Sequence, residues 1–153
     1  MSTVEAPWHA AYPAPRGAAA TLPRQEFLQW FKEGKQPGKD FVLVDLRRTD
    51  YEGGTIRGSL NLPAQSLYPA IPTLYKLLAA SKVKSVIWYC GSSRGRGTRA
   101  GGWFADYLQD QGETNLKSLV LEGGIKGWVA AGPEYTELMD EYDASFWAKP
   151  TSG

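Results

Sequence analysis

Three short apolar runs constrain the fold of this chain more than any other feature of its sequence. They are DFVLVDLR, VKSVIWYC and NLKSLVLEGG, and each is rich in apolar and β-branched residues. Such runs are typical of strands that are buried on both faces of a parallel sheet. The stretches around them show helical spacing, and no hairpin signal appears. The pattern therefore predicts an α/β domain with a mostly parallel central sheet flanked by helices on both faces.

The length of the chain, 153 residues, fits one domain with short tails. We predict an irregular N-terminal arm over residues 1–20, the main domain over residues 21–134 and a helical tail over residues 135–153. The only histidine, His9, lies in the Pro- and Ala-rich arm. Because such composition rarely builds a core, we expect His9 to be a solvated tail residue.

The overall composition argues against several classes of partner. The net charge is +1, whereas nucleic-acid binders usually have a strong basic excess. No stretch approaches the roughly 18 apolar residues of a membrane span. One cysteine and one histidine cannot build a Cys/His zinc site. We therefore expect no nucleic-acid partner, no membrane and no metal, and a reducing cytoplasmic or nuclear location.

The segment YCGSSRGRGTR contains the only cysteine, Cys90, at the end of the second apolar run and before a predicted helix. In parallel sheets the reactive loops lie at the carboxyl ends of the strands. A strand-to-helix loop presents free backbone N–H groups as a cradle for anions, and the helix N-terminus adds partial positive charge. These features favour the thiolate form of a cysteine. We therefore expect Cys90 to be a nucleophile aimed at the central atom of an oxyanion.

Arg96 follows Cys90 after five intervening residues, and its guanidinium can hold two oxygens of such an anion. Cys90 and Arg96 are the predicted catalytic residues. We expect Arg99 to be a surface residue of the first helical turn, and Asp45 and Glu122 to be structural. The predicted oxyanion-binding loop between the two catalytic residues consists of Gly91, Ser92, Ser93, Arg94 and Gly95.

Three segments together resemble a rhodanese domain. They are VLVDLRRTDYEGGTIRGSLNLP, VIWYCGSSRGRG and LVLEGGIKGWVAAG, and they occur in the family's order over about residues 22–133. The first resembles the family's Asp-x-Arg strand end followed by Gly-x-Ile-x-Gly-(Ala/Ser)-x-Asn-(Ile/Leu)-Pro, and the third resembles its Gly-Gly-x-x-x-Trp signature. The resemblance implies a single rhodanese-like domain, and a structural role for Asp45 with Arg47.

Loop length separates the chemistries of this superfamily. Sulfurtransferases typically have six residues from Cys to Arg inclusive, whereas M-phase inducer phosphatases and fungal arsenate reductases have seven, as in Cys90 to Arg96. The resemblance therefore implies a phosphatase of the protein tyrosine or dual-specificity type, or an arsenate reductase. A thiosulfate or persulfide sulfurtransferase and a non-catalytic rhodanese-like interaction module are the alternatives.

The resemblance also sets expectations for partners. The substrate would be a small oxyanion or a phosphorylated molecule, and the protein would be a monomer or a weak dimer. No cofactor is expected, but with a single cysteine an arsenate reductase would need glutathione or glutaredoxin as external reductant. The sequence departs from the phosphatase-type members at Tyr89, where they usually have His. We expect this change to weaken or alter the activity. Thr55 stands where a Gly-His-Ile pattern, with His at this position, is common, and we expect Thr55 to be structural.

Overall fold

The computed structural model describes residues 6–149. None of the helices within these residues is both long enough and apolar enough to cross a membrane. The strands are β1 (Ala20–Leu22), β2 (Phe41–Asp45), β3 (Thr55–Ile56), β4 (Leu60–Asn61), β5 (Ser85–Tyr89), β6 (Lys117–Leu121) and β7 (Met139–Asp140). The helices are α1 (Arg24–Lys32), α2 (Ala64–Leu67), α3 (Ile71–Ser81), α4 (Arg96–Asp110), α5 (Gly124–Ala130), α6 (Pro133–Thr136) and α7 (Ala144–Trp147), with a 3₁₀ turn at Tyr68–Ala70.

A parallel sheet of five strands forms the centre of the molecule, in the spatial order β1-β6-β5-β2-β4. The three apolar runs of the sequence are β2, β5 and β6, which lie next to one another in the middle of this sheet. Every residue of β2 and β5 is buried. A separate antiparallel pair is formed by β3 and β7. The predicted α/β architecture with a mostly parallel sheet is confirmed.

Helices cover both faces of the sheet, as predicted, because alternate residues of each strand point to opposite faces. On one face, α2, α3 and α4 pack over Val86 and Trp88, with the Trp88 and Phe104 rings 5.4 Å apart. On the other face, α1 and α5 pack over Ile87 and Tyr89. Cys90 belongs to the first cluster and Tyr89 to the second. These two consecutive residues at the strand end therefore pack on opposite faces of the sheet.

Two consecutive glycines allow the longest described helix, α4, to pack closely against its neighbours. A Cβ atom on Gly101 would lie 2.6 Å from Val120 Cγ2 in β6, and one on Gly102 would lie 2.8 Å from Pro15 Cβ in the N-terminal arm. A glycine inside a helix costs about 1 kcal/mol relative to alanine. Here that cost is offset by close packing of α4 against the sheet on one side and the arm on the other.

The N-terminal arm has no helix or strand between residues 6 and 19, yet it is docked firmly on α4. The Trp103 indole Nε1 donates a hydrogen bond to the Pro13 carbonyl oxygen at 2.7 Å. The backbone N–H groups of Arg16 and Gly17 donate to the Asp106 carboxylate at 2.7 and 3.0 Å. The Tyr12 ring stacks on Tyr68 with centroids 4.9 Å apart. The arm is thus irregular in backbone but fixed in position.

The C-terminal segment packs beside the loop between β2 and β3. After α6, strand β7 pairs with β3, and α7 follows. The Trp147 indole Nε1 donates to the Gly53 carbonyl oxygen at 2.8 Å. A Cβ atom on Gly54 would lie 2.8 Å from the Asp140 carbonyl oxygen, so this loop and the segment are in tight contact. The contact holds the β2–β3 loop near the carboxyl edge of the sheet.

Candidate active site

Cys90 lies at the carboxyl edge of the central sheet, directly after β5. Its strand is flanked by β2 and β6, and the loop that follows leads into α4 at Arg96. Only 2% of Cys90 is exposed. The position is the one expected for a reactive loop in a parallel sheet.

Backbone amides surround the Cys90 sulfur. The Ser93 N–H donates to Sγ at 3.2 Å and the Gly97 N–H donates at 3.4 Å. The second donor belongs to the first turn of α4, where unpaired N–H groups and the helix dipole favour negative charge. Ser93 has a φ of 64°, a left-handed conformation that turns its N–H toward the sulfur, and Thr98 Oγ1 donates to its carbonyl oxygen at 2.7 Å. The loop is therefore folded around the sulfur as an amide cradle.

The amino end of α5 supports the other side of the loop. The Ile125 N–H donates to the Cys90 carbonyl oxygen and the Lys126 N–H donates to the Gly91 carbonyl oxygen, each at 3.0 Å. Gly124 has a φ of 60°. A Cβ atom there would clash with these two carbonyl oxygens. The Gly-Gly segment before Trp128 is thus the support on which the start of the cysteine loop rests.

Arg96 is held by a carboxylate that the sequence analysis did not single out. Its Nη1 and Nη2 donate to the two Asp50 oxygens at 2.8 and 2.6 Å. This bidentate bond lowers the pKa of Asp50 to about 2 from its ordinary 3.8. It also raises the pKa of Arg96, to which the nearby Cys90 sulfur contributes. Asp50 follows β2, whose carboxyl end adjoins that of β5, and this adjacency was the available signal.

A pocket of about 430 Å³ opens at Cys90. Arg99, which was expected on the surface, is half-buried and forms part of its wall, because the first turn of α4 places residues 96 and 99 on one side of the helix. Gln65 also belongs to the wall, and its buried Oε1 has no hydrogen-bond partner among residues 6–149. The lining residues are Trp8, His9, Gln65, Cys90, Ser92, Gly95, Arg96 and Arg99.

The expectation for His9 is wrong. Instead of lying in solvent, His9 is half-buried and lines the Cys90 pocket. Its ring meets the Trp8 ring edge to face with centroids 5.2 Å apart, and Trp8 in turn packs on Trp103 of α4. The Pro- and Ala-rich composition does not predict this placement, because it depends on the packing of Trp8 on the distant Trp103.

The residues of the predicted oxyanion-binding loop do not all line the Cys90 pocket. Gly91 and Ser93 are buried, and Ser92 and Gly95 line the Cys90 pocket. The Arg94 side chain is exposed and lines a neighbouring groove, while its N–H donates to Ser92 Oγ at 3.3 Å. The contribution of each residue to oxyanion binding stays a prediction.

Tyr89 faces away from the sulfur, on the opposite side of the sheet. Its hydroxyl oxygen lies 2.7 Å from Thr55 Oγ1 and 2.6 Å from Ser59 Oγ, and it accepts the Ile56 N–H at 3.1 Å. Burial, reinforced by the negative charge of Asp45, raises the pKa of Tyr89. Tyr89 therefore bonds β5 to β3, and the structural role expected for Thr55 is confirmed.

Asp45 and Glu122, the two other carboxylates near strand ends, both pair with arginines outside the Cys90 pocket. Asp45 is buried and accepts hydrogen bonds from Arg47 Nε and Nη2 at 3.0 and 2.8 Å, which confirms its structural role. Glu122 is exposed after β6 and lies 3.5 Å from Arg24. It lines the groove beside Arg94, outside the Cys90 pocket.

Comparison with known proteins agrees with this geometry. The model of the rhodanese-like domain family matches residues 24–131. Arsenical-resistance protein 2 of Saccharomyces cerevisiae is 32% identical over 97 residues, which cover 59% of this chain and 75% of that protein.

Two solved structures share the fold. Ygr203w, a yeast protein tyrosine phosphatase of the rhodanese family, superposes with a TM-score of 0.70 at 24% identity, over 84% of this chain and 96% of that one. The As-Sb reductase from Leishmania major superposes with a TM-score of 0.65 at 21% identity, over 79% and 84% of the two chains. At this identity the superpositions show the fold alone, and they agree with the resemblance found in the sequence.

Proposed function

Since the chain belongs to the rhodanese-like domain family, we propose that it is a Cys-dependent arsenate reductase in which the Cys90 thiolate attacks arsenic. The observation that supports this function best is the seven-residue loop, whose amides at Ser93 and Gly97 converge on the sulfur. A cradle of this size suits a tetrahedral anion rather than a single sulfane sulfur. The 32% identity to arsenical-resistance protein 2 favours arsenate within that class.

In the first step the Cys90 sulfur forms a bond to arsenic, and one arsenate oxygen leaves as water after taking up protons. Arg96 and the loop amides hold the remaining oxygens and stabilise the charge that develops on them. The Ser93 and Gly97 amides donate to the sulfur, and a cysteine that attacks as the thiolate needs no general base. The attack therefore depends more on groups that donate hydrogen bonds to the anion oxygens than on a general base.

The reduction itself needs an external thiol, because the sequence contains one cysteine. A thiolate of glutathione or glutaredoxin attacks the Cys90 sulfur, and the S–As bond breaks with its electron pair left on arsenic, which becomes As(III). Cys90 is then part of a mixed disulfide, and a second thiol restores the free cysteine. Two thiols thus supply the two electrons of the reaction.

Phosphate monoester hydrolysis is the second candidate, because a phosphoryl group offers the same tetrahedral oxygens to the same seven-residue loop. Cys90 would form a phosphoryl-cysteine, and water would then hydrolyse it. Sulfur transfer is a weaker candidate, since a sulfane sulfur has no oxygens for Arg96 to bind.

A single set of assays tests these functions side by side: arsenate with glutathione and glutaredoxin, p-nitrophenyl phosphate, and thiosulfate with cyanide. We expect reduction of arsenate and no transfer of sulfur from thiosulfate. Cys90→Ser should abolish turnover and keep anion binding, and Arg96→Ala should weaken arsenate binding by about 2 kcal/mol, the scale of a lost charged hydrogen bond. Thiosulfate activity above arsenate activity, or turnover retained in Cys90→Ser, would refute the proposal.

A further inference from the structure

The N-terminal arm and the cysteine loop share one support. Helix α4 begins at the cradle with Arg96, and its next two turns hold the arm through Trp103 and Asp106. The arm's contacts include a hydrogen bond from a buried indole, charged hydrogen bonds to backbone N–H groups and a stack of aromatic rings. The arm is therefore anchored on the same helix that begins at the Cys90 loop, and Trp8 packs its tip on Trp103 of that helix.

The proposed attack requires a proton at the oxygen that leaves, since hydroxide is a poor leaving group. Among the described carboxylates near the site, Asp45 is buried against Arg47 and Glu122 lies in the neighbouring groove. Asp50 is paired with Arg96, and the pair holds its pKa near 2, so it carries no proton to donate at neutral pH. None of these three carboxylates is suited to the task.

Of the described side chains that line the Cys90 pocket, His9 is the one whose chemical type exchanges protons near neutral pH. The arginines in the wall keep their protons, and the Gln65 amide and Trp8 indole do not titrate. A positioned imidazole is also the commonest general acid or base in enzymes.

We propose that His9 is the proton donor to the oxygen that leaves when Cys90 attacks, and that the N-terminal arm is therefore part of the active site. This inference rests on the proposed function. As the S–As bond forms, the As–O bond breaks, its electron pair stays on the leaving hydroxyl, and the imidazolium of His9 gives that oxygen its proton. Water leaves, and His9 becomes neutral until solvent reprotonates it. In phosphate monoester hydrolysis the same donor would serve the leaving alcohol.

The charges around the pocket couple this proton to the substrate. The charged groups that line the Cys90 pocket together with His9 are Arg96, whose partner is Asp50, and Arg99. Arg16, which also belongs to the arm, does not line this pocket and pairs with Asp110. A bound arsenate would add negative charge to the pocket that His9 lines, and a nearby anion favours a protonated imidazole. Anion binding should therefore promote protonation of His9.

The coupling can be measured directly because His9 is the only histidine in the chain. Full-length Cys90→Ser protein labelled with ¹⁵N-histidine would be titrated from pH 5 to 9 by NMR, with and without saturating arsenate. We expect arsenate to move the ring-nitrogen titration to higher pH. Ring signals that stay unchanged while calorimetry shows arsenate bound would overturn the proposal, because His9 would then not face the anion.

A kinetic test separates proton donation from a role in shaping the pocket. His9→Gln should lower kcat for arsenate reduction by about 100-fold, the scale of general acid catalysis. Its kcat with p-nitrophenyl phosphate, whose leaving group needs little protonation, should fall by less than about 5-fold. Lys39→Gln, which removes an exposed charge just before β2 at the opposite end of the sheet, is the matched control and should leave both unchanged.

Two other results would overturn the proposal: an equal loss with both substrates, which would indicate a wall that positions the anion, or no loss with arsenate. The failure of the proposed function would look different, since the wild-type protein would then reduce no arsenate. In that case the NMR titration still decides whether His9 senses an anion bound at the Cys90 loop.

Discussion

Asp50→Asn should make the protein less stable and, at the same time, a better binder of oxyanions. Asp50 occupies both Nη atoms of Arg96, the same atoms that the proposed function assigns to the substrate. Full conversion of the lowered pKa of Asp50 would suggest more than about 2 kcal/mol for this pair. Because 46% of the Asp50 side chain is exposed, however, solvent screening limits the pair to about 1 kcal/mol. We expect the free energy of unfolding to fall by that amount at neutral pH.

The loss of stability should depend on pH in a defined direction. The folded-state pKa of Asp50 is about 2, below its ordinary 3.8. The stabilisation is therefore fully present above the ordinary value and is lost as the pH falls toward 2. The unfolding free energies of wild type and Asp50→Asn should converge over that range.

The effect on binding should have the opposite sign. Removal of the carboxylate leaves the Arg96 guanidinium to the oxyanion and removes a like charge beside it, so a gain of about 1 kcal/mol corresponds to roughly 5-fold tighter binding. Urea denaturation between pH 2 and 7 and calorimetry with arsenate and sulfate would measure the two effects. Weaker oxyanion binding in Asp50→Asn would refute the reasoning and would assign Asp50 to the positioning of Arg96.

A matched control is Glu134→Gln. It also removes one negative charge from an exposed ion pair, the 2.8 Å contact with Lys32, but at a site remote from the cysteine loop. Its arsenate affinity should equal that of the wild type. A gain in affinity there would show that net charge, rather than competition at Arg96, controls anion binding.

Two further predictions concern the support of the loop. Gly124→Ala should lower the unfolding free energy in urea by about 3 kcal/mol and reduce arsenate binding, because it combines a positive φ with a clash against the Cys90 carbonyl oxygen. Gly38→Ala, at a positive φ with open space around it, should cost only about 1 kcal/mol, and equal losses in the two variants would contradict the clash. Tyr89→Phe should cost about 1–2 kcal/mol through its lost hydrogen bonds while kcat for arsenate stays within about 2-fold. A large loss of kcat in that variant would show that the opposite face of β5 controls the thiolate.

Local patterns in the sequence were enough to predict the three central strands, β2, β5 and β6, and the place of Cys90 after one of them, but not the short strands β1, β3, β4 and β7. A strand buried on both faces must be continuously apolar, so β2 and β5 were recognisable without any knowledge of their neighbours. The seven residues from Cys90 to Arg96 are contiguous, and their glycines and the following helix are visible in the sequence itself. For such features, the information lies within a single window of the chain.

The partners of the site residues depended on the tertiary structure. Asp50 is 46 residues from Arg96, and more than half of the 153-residue chain separates His9 from Cys90. Their positions follow from the order of strands in the sheet and from the docking of aromatic side chains on α4, which no local periodicity encodes. Tyr89 is a different case. The alternation of side chains along β5 already places it on the face opposite the thiol, and the tertiary structure adds its hydrogen-bond partners Thr55 and Ser59. The sequence alone thus predicted Cys90 and its loop as the candidate site, whereas packing between distant segments decided which charged groups and which imidazole line the Cys90 pocket.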